Sequence, residues 1–197
     1  MAKIGLSKPY YAIYSNSGGT ISYASGGVMG KAIEANVEID VAEDNNLFAD
    51  NVIAETDRMF AGGTLTLTTD DLSQSVAKAI LGVQEATITG VTGITDTGAK
   101  ELIYDDRQAT PYLGIGFIIK KIVGGVTMWR ALVFKKVMFS VPADNAITQG
   151  EQIEWQTPEI SGTIMRDDST YHEWKCETTL TTEAQAEAYI KAKLNIT

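Results

Sequence analysis

The longest apolar stretch of the chain runs from Pro111 to Phe139 and has a turn in its middle. Branched and aromatic residues fill Tyr112 to Val123, and the pattern resumes from Val126 onward. These residue types are enriched in β-strands. Between the two halves, Gly124 and Gly125 supply the positive φ angles that a tight two-residue turn needs. The pattern therefore predicts a central β-hairpin.

Both alternation phases of this hairpin are apolar. One face carries larger side chains, and the other carries a mixture of large residues and glycine; in order, they are Leu113, Ile115, Phe117 and Ile119, and then Tyr112, Gly114, Gly116 and Ile118. A half-exposed hairpin would instead alternate apolar with polar positions. We expect one face to pack on the core of its own domain and the other to be covered only by neighbouring subunits.

Shorter alternating segments predict further strands around this hairpin. A small hairpin is predicted around the turn formers of Ser15 to Gly19. Further strands are predicted over Glu34 to Val41, Thr64 to Thr68 and Gln152 to Ile164. In the first of these, Val37, Ile39 and Val41 point inward and the acids point outward.

Two helices stand out by their capping signals. Asp70 or Asp71, followed by Gln74 and ended by Gly82, predicts a helix that runs to about Leu81. Thr182 with Gln185 predicts a second helix from Glu183 to Leu194. Ala42 to Asn51 reads as a long loop, and residues 84–100 fit weak strands or a loop equally. The fold class is thus mainly β, with one flanking α-helix and a C-terminal helix, in a single domain over 1–197 in which 183–194 forms a helical appendage.

Composition narrows the range of functions. Hydrophobic residues make up 44% of the 197 residues, which is ordinary for a globular domain. The apolar runs fall short of the roughly 20 residues that a membrane helix requires, and no signal peptide is evident, so we expect no membrane partner and folding in a cytoplasm. A net charge of −9 argues against a protein that grips nucleic-acid phosphates.

The side chains that could carry chemistry are few. His172 and Cys176 are the only histidine and cysteine, and four residues along a strand would separate them by roughly 13 Å. The aspartate pairs 70–71, 105–106 and 167–168 lie where turns and caps favour aspartate. The sequence therefore predicts no enzyme, no metal site and no cofactor, although a hydrolase using Cys176 and His172 remains an open alternative.

Several stretches resemble the major tail protein, or tail tube protein, of long-tailed bacteriophages of the phi13 type. The likeness reaches to about Ile164, and its most specific part is the strand containing Gln156-Thr157-Pro158. The residues that carry it are Ile4-Gly5-Leu6, Ala35-Asn36-Val37, Leu47-Phe48-Ala49-Asp50-Asn51, Asp71-Leu72, Gly114-Ile115-Gly116-Phe117, the Trp129 strand, Phe134 to Pro142, and Gly150 to Ile164.

This resemblance implies a structural virion protein with a β-sandwich or barrel fold of the tail-tube type. Its subunits would form hexameric rings that stack into a tube, and the tube would conduct DNA without binding it specifically. The stacking segment would be Ala42 to Asp57, with Leu47, Phe48 and Asp50 at the contact between rings. The sheet shared between subunits would include Tyr112, Ile118 and Trp129. The implied partners are other copies of the chain and tail proteins such as the tape measure and the tail terminator, and the implied location is the virion tail, after assembly in the host cytoplasm.

Two other functions also fit the sequence. A carbohydrate-binding β-sandwich would use Trp129, Trp155 or Trp174 as an exposed platform for a sugar ring. The tube of a phage-derived injection machine would have the same sequence features as a virion tail.

Overall fold

A computed structural model describes residues 2–42, 45–49, 52–57, 59–96, 98–144, 146–148 and 156–197. In this part of the chain the fold is mainly antiparallel β. Its strands are β1 (Ala2–Ser17), β2 (Thr20–Val28), β3 (Ala32–Val41), β4 (Asn45–Ala49), β5 (Val52–Asp57), β6 (Phe60–Thr69), β7 (Gln84–Thr87), β8 (Lys100–Ile103), β9 (Leu113–Val123), β10 (Val126–Phe139), β11 (Glu159–Met165) and β12 (Lys175–Leu180). Its helices are α1 (Gln74–Leu81) and α2 (Glu183–Leu194).

One large sheet organises the molecule. Its strands lie in the order β2-β1-β9-β10-β11-β6-β3, and β12 pairs with the part of β10 that β11 leaves free. The sheet curls, so that β3 approaches β1 although it pairs only with β6 among the described strands. The result is a sandwich-like enclosure with a core inside it.

The central hairpin is confirmed. Strands β9 and β10 pair with Val123 opposite Val126, so Gly124 and Gly125 alone make the turn. Their φ angles are 56° and 82°, in the left-handed region that glycine adopts without the steric cost of a Cβ atom. The hairpin around Ser15 to Gly19 is confirmed as well, since β1 and β2 pair on either side of Gly18 and Gly19.

The first core lies inside the curled sheet. Leu113, Ile115 and Phe117 of β9 are buried there with Leu65 of β6 and Ile164 of β11. Helix α1 covers the same core with Val76, Ala77, Ile80 and Leu81. The expectation that one face of the hairpin packs on the core of its own domain is therefore confirmed.

The other face of the hairpin has its own cover. Helix α2 lays Ala186, Ile190 and Leu194 over β9 and β10, and these residues form a second core with Ile118 and Val133. Ile118 is 0% exposed. The expectation that this face is covered only by neighbouring subunits is wrong, because the C-terminal helix of the same chain covers it.

The glycines of the hairpin explain how the helix comes so close. A Cβ atom at Gly114 would lie 2.5 Å from Leu194 Cδ2 and from Tyr23 Cε1. One at Gly116 would lie 2.5 Å from Ile190 Cγ2. Both distances are far inside van der Waals contact, so the two glycines form a groove in the sheet that receives the side chains of α2.

The helix boundaries follow the predicted ones, with one change. Helix α2 begins after Thr182, whose hydroxyl accepts a hydrogen bond from the Gln185 amide, and spans the predicted residues. Helix α1 ends at Gly82 as predicted, but its cap is Ser73, which accepts a hydrogen bond from the Val76 amide, rather than Asp70 or Asp71. Asp70 instead accepts from the amides of Lys31 and Asp71, because the pairing of Thr69 with Ala32 places it beside the start of β3.

Two other segments differ from their predictions, and in a third, one of two open alternatives is observed. The loop predicted over Ala42 to Asn51 contains strand β4, which pairs with β5 in a separate two-stranded sheet. Within residues 84–100, strand β7 pairs with β8, which begins at Lys100. The strand predicted from Gln152 begins at Glu159 in the described residues; residues 149–155 lie outside them.

Candidate functional site

The acids of β3 lie on an outward surface of the sheet. In the register of β3, β6 and β11, Glu34 is level with Thr68 and Glu159, and Glu38 is level with Thr64 and Thr163. Asn36, Thr66 and Ser161 form the row between them, and Asp40 follows at the end of β3. We call these ten side chains the acidic threonine face; they are Glu34, Asn36, Glu38, Asp40, Thr64, Thr66, Thr68, Glu159, Ser161 and Thr163.

This face is polar, regular and free of positive charge. None of its members is Lys or Arg, and no Lys or Arg nitrogen of the described residues lies within 4.0 Å of the carboxylates of Glu34, Glu38 or Glu159. The inner side of the same strands is buried, as at Leu65, Leu67 and Ile160. Such a surface attracts water and cations and repels phosphate groups.

The inward residues of β3 are only partly covered. The predicted direction of the strand is confirmed, because Val37 is level with the buried Leu65. Towards β4, however, Ile39 is 38% exposed and Val41 is 58% exposed, and Met59 beside them is 53% exposed. The core does not extend to this end of the strand, so an apolar strip remains at the base of the β4–β5 hairpin.

Two of the three residues predicted at the contact between rings lie on that hairpin. Leu47 and Phe48 are on β4, opposite Glu55 and Ile53 of β5, and the structure describes their backbone only. Asp50 lies outside the described residues. The predicted stacking segment is thus a strand pair rather than an irregular loop.

The residues predicted in a sheet between subunits do not lie together on one free surface. Tyr112 is 41% exposed at the start of the hairpin, where its ring packs edge-on against Tyr14 with the Lys136 ammonium 4.6 Å from its centroid. Trp129 is half-buried beside α2, with the Lys120 ammonium 5.4 Å from its ring. The complete burial of Ile118 leaves no surface for another subunit.

The end of the hairpin carries an exposed patch that the sequence reading did not single out. In the paired strands, Lys3 lies directly opposite Lys121, and Lys121 lies opposite Met128. Val123 and Val126 continue the same face to the turn and are 37% and 60% exposed. The lysines flanking the turn were visible in the sequence, but their alignment with Lys3 depends on the register of β1 and β9.

The side chains considered for catalysis or metal binding take part in local structural contacts. Cys176 is on β12 opposite Val133 and is half-buried, whereas His172 is in the preceding turn, with its Nδ1 3.2 Å from the Asp167 carbonyl oxygen. The buried Asp167 carboxylate accepts hydrogen bonds from the amide and hydroxyl of Ser169. Within the described residues, no three of the His, Cys, Asp and Glu side chains are placed to hold a metal ion.

The tryptophans give little support to sugar binding. Trp174 is stacked on Phe60 with ring centroids 4.4 Å apart and an angle of 8° between the planes, so one of its faces is occupied. Trp129 is half-buried in the second core. Trp155 lies outside the described residues.

Side-chain hydrogen bonds and an ion pair link α2 to strand β1. The Glu187 carboxylate accepts hydrogen bonds from the Lys8 ammonium and, at 2.7 Å, from the Tyr10 hydroxyl. The hydrogen bond from Lys8, followed by that from Tyr10, lowers the pKa of Glu187 to about 2.

A second side-chain hydrogen bond joins β1 to the segment after β11. Tyr14 donates to Asp168, and burial together with this bond raises the pKa of Tyr14 to about 12.

No model of a known protein family matches the chain, and no curated protein matches it either. In the described residues, no helix is long and apolar enough to cross a membrane.

Proposed function

We propose that the chain is a structural subunit that assembles with copies of itself into stacked hexameric rings, forming the tube of a phage tail. In this proposal the tube conducts DNA, and its partners are other copies of the chain together with tail proteins such as the tape measure and the terminator. The proposed location is the virion tail. The resemblance to tail tube proteins motivates the proposal, and one structural feature supports it most.

That feature is the acidic threonine face. A channel for DNA must not bind the phosphates that pass along it, and a wall of carboxylates and hydroxyls without lysine or arginine meets this requirement. The face is built on strands whose other side is buried, so the carboxylates are held on a stable support. We assign this face to the wall of the channel.

The proposal is tested by the state of the purified protein. Negative-stain microscopy and sedimentation velocity over rising protein concentration should detect rings of six subunits and then tubes. If the protein stays a small globular monomer at every concentration and salt condition, the proposal is wrong.

The assignment of the channel wall has its own test. The variant E34K/E38K/E159K should yield assemblies that retain DNA in a mobility-shift assay, whereas wild-type assemblies should not. The control E101K/D106K/D144K makes the same change in charge at exposed sites off this face. Equal retention of DNA by both variants would show that net charge, and not this face, controls the interaction.

A further inference from the structure

The patch at the end of the central hairpin is an unfavourable surface for an isolated subunit. We call it the hairpin-tip face, and it consists of Lys3, Lys121, Val123, Val126 and Met128 on β1, β9 and β10. Like charges directly opposite each other on neighbouring strands destabilise a sheet. Lys3 and Lys121 are in this position, and no carboxylate of the described residues lies within 4.0 Å of either ammonium.

Two other lysines on β1 and β9 have electrostatic partners within the subunit. The Lys120 ammonium, on the opposite face, lies over the Trp129 ring. Lys8, further along β1, pairs with Glu187 and Glu183 of α2. The two lysines of the hairpin-tip face therefore form, with the exposed valines beside them, a basic and apolar surface that suits an acidic and apolar partner.

A segment with those properties exists in the chain itself. Residues 45–57, which include β4 and β5, contain the acids Asp50, Glu55 and Asp57 and no Lys, Arg or His. They also include the apolar residues Leu47, Phe48, Val52 and Ile53. Among the described strands, β4 and β5 pair only with each other.

We infer that the hairpin-tip face receives the β4–β5 hairpin of a second copy of the chain. This inference rests on the proposed function and adds to it the surface that the stacking segment contacts. Because the two surfaces differ, the contact is heterologous, and each copy offers one surface to the next and the other to the previous one. A heterologous contact that does not close into a ring propagates along an axis, as stacked rings require.

Charge exchange between copies tests the inference. The variant K3E/K121E makes the tip acidic, and E55K/D57K makes the hairpin basic; each alone should raise the protein concentration needed for tubes at least about tenfold, since like charges then face each other. The control K31E/K193E has the same net charge as the first variant but alters exposed lysines elsewhere. It should form tubes as the wild type does.

The decisive measurement mixes the two variants. In an equimolar mixture, every acidic tip finds a basic hairpin and every basic tip finds an acidic one, so tubes should return to near the wild-type concentration. Circular dichroism of each variant should match that of the wild type; Lys3 and Lys121 belong to neither of the two cores.

The outcomes separate this inference from the proposed function. Tubes of wild-type protein together with unchanged assembly of K3E/K121E would overturn the inference alone. Loss of tubes in both variants without recovery in the mixture would overturn it too, since complementary charges would then not meet. A wild-type protein that forms no assembly at all would overturn the proposed function itself.

Discussion

The groove formed by Gly114 and Gly116 makes a quantitative prediction about how α2 is held. In the variant Gly116→Ala, the added Cβ would lie 2.5 Å from Ile190 Cγ2 and 3.3 Å from the Leu132 carbonyl oxygen. Carbon atoms normally pack at about 3.5–4.0 Å, so Ile190, which is 0% exposed, must move by about 1 Å.

The expected loss of stability follows from two opposing effects. Overpacking a core costs about 1–3 kcal/mol, while replacing a strand glycine by alanine recovers about 0.5–1 kcal/mol of chain entropy. We expect Gly116→Ala to lower the free energy of unfolding by about 1–2 kcal/mol, measured by urea denaturation. For a domain of this size the melting temperature should fall by about 2–4 °C per kcal/mol.

A matched control lies on the neighbouring strand of the same sheet. The Cβ added by Gly5→Ala would lie 3.7 Å from Lys120 Cβ, which is ordinary contact, so this variant should be as stable as the wild type or slightly more stable. A loss of stability in Gly5→Ala equal to that in Gly116→Ala would show that strand glycines are needed for another reason.

A double-mutant cycle with Ile190 tests the contact itself. Ile190→Ala alone should cost about 2–5 kcal/mol, because it leaves a cavity. In Gly116→Ala/Ile190→Ala the clashing Cγ2 is gone, so the first substitution should cost nothing further. If the two losses add within about 0.5 kcal/mol, the two residues are not coupled and the explanation is refuted.

Two further predictions concern the same interface between α2 and the sheet. Ile118→Lys should unfold the isolated subunit, seen as loss of the cooperative thermal transition, because it buries a charge under α2. Its exposed counterpart Tyr112→Lys should keep that transition, and a folded Ile118→Lys subunit would contradict the described packing. Glu187→Gln should destabilise the chain at pH 7 by about 1 kcal/mol after allowance for solvent screening. Since the folded pKa of Glu187 is lowered from 4.5 to about 2, its contribution is complete above pH 4.5 and is lost as the pH falls towards about 2. Urea titrations of wild type and variant should therefore converge in acid, and a difference that persists at pH 2 would show that charge is not the cause.

Much of the fold could be predicted from residues that lie close together in the sequence. The paired glycines and the strand-forming residues around them predicted the central hairpin, and Thr182 with Gln185 predicted the bounds of α2. These features depend on residues close in sequence, which is why they could be read from it. The cap of α1 was misplaced because Asp70, Asp71 and Ser73 all favour a cap, and only the position of Lys31 shows which role Asp70 has.

The elements that bury the two faces of the central hairpin could not be predicted in the same way. An apolar pattern on both faces shows that both are buried, but it does not show what covers them. The spacing of Ala186, Ile190 and Leu194, together with the small residues Gly114 and Gly116, was the available signal for a helix close to the sheet. Similarly, Lys3 and Lys121 are far apart in the sequence, so their alignment on neighbouring strands could not be predicted from it.

The position of α2 changes where an assembly contact can lie. Because the middle of the central hairpin is covered by the sandwich core on one face and by α2 on the other, a neighbouring subunit cannot pack there without displacing core side chains or the three that α2 buries. Among the described residues, exposed apolar side chains remain at the turn of the hairpin and at the base of the β4–β5 hairpin, as at Val126, Val41 and Met59. A subunit built in this way would assemble through the ends of its strands, and its acidic threonine face would stay free to line a channel.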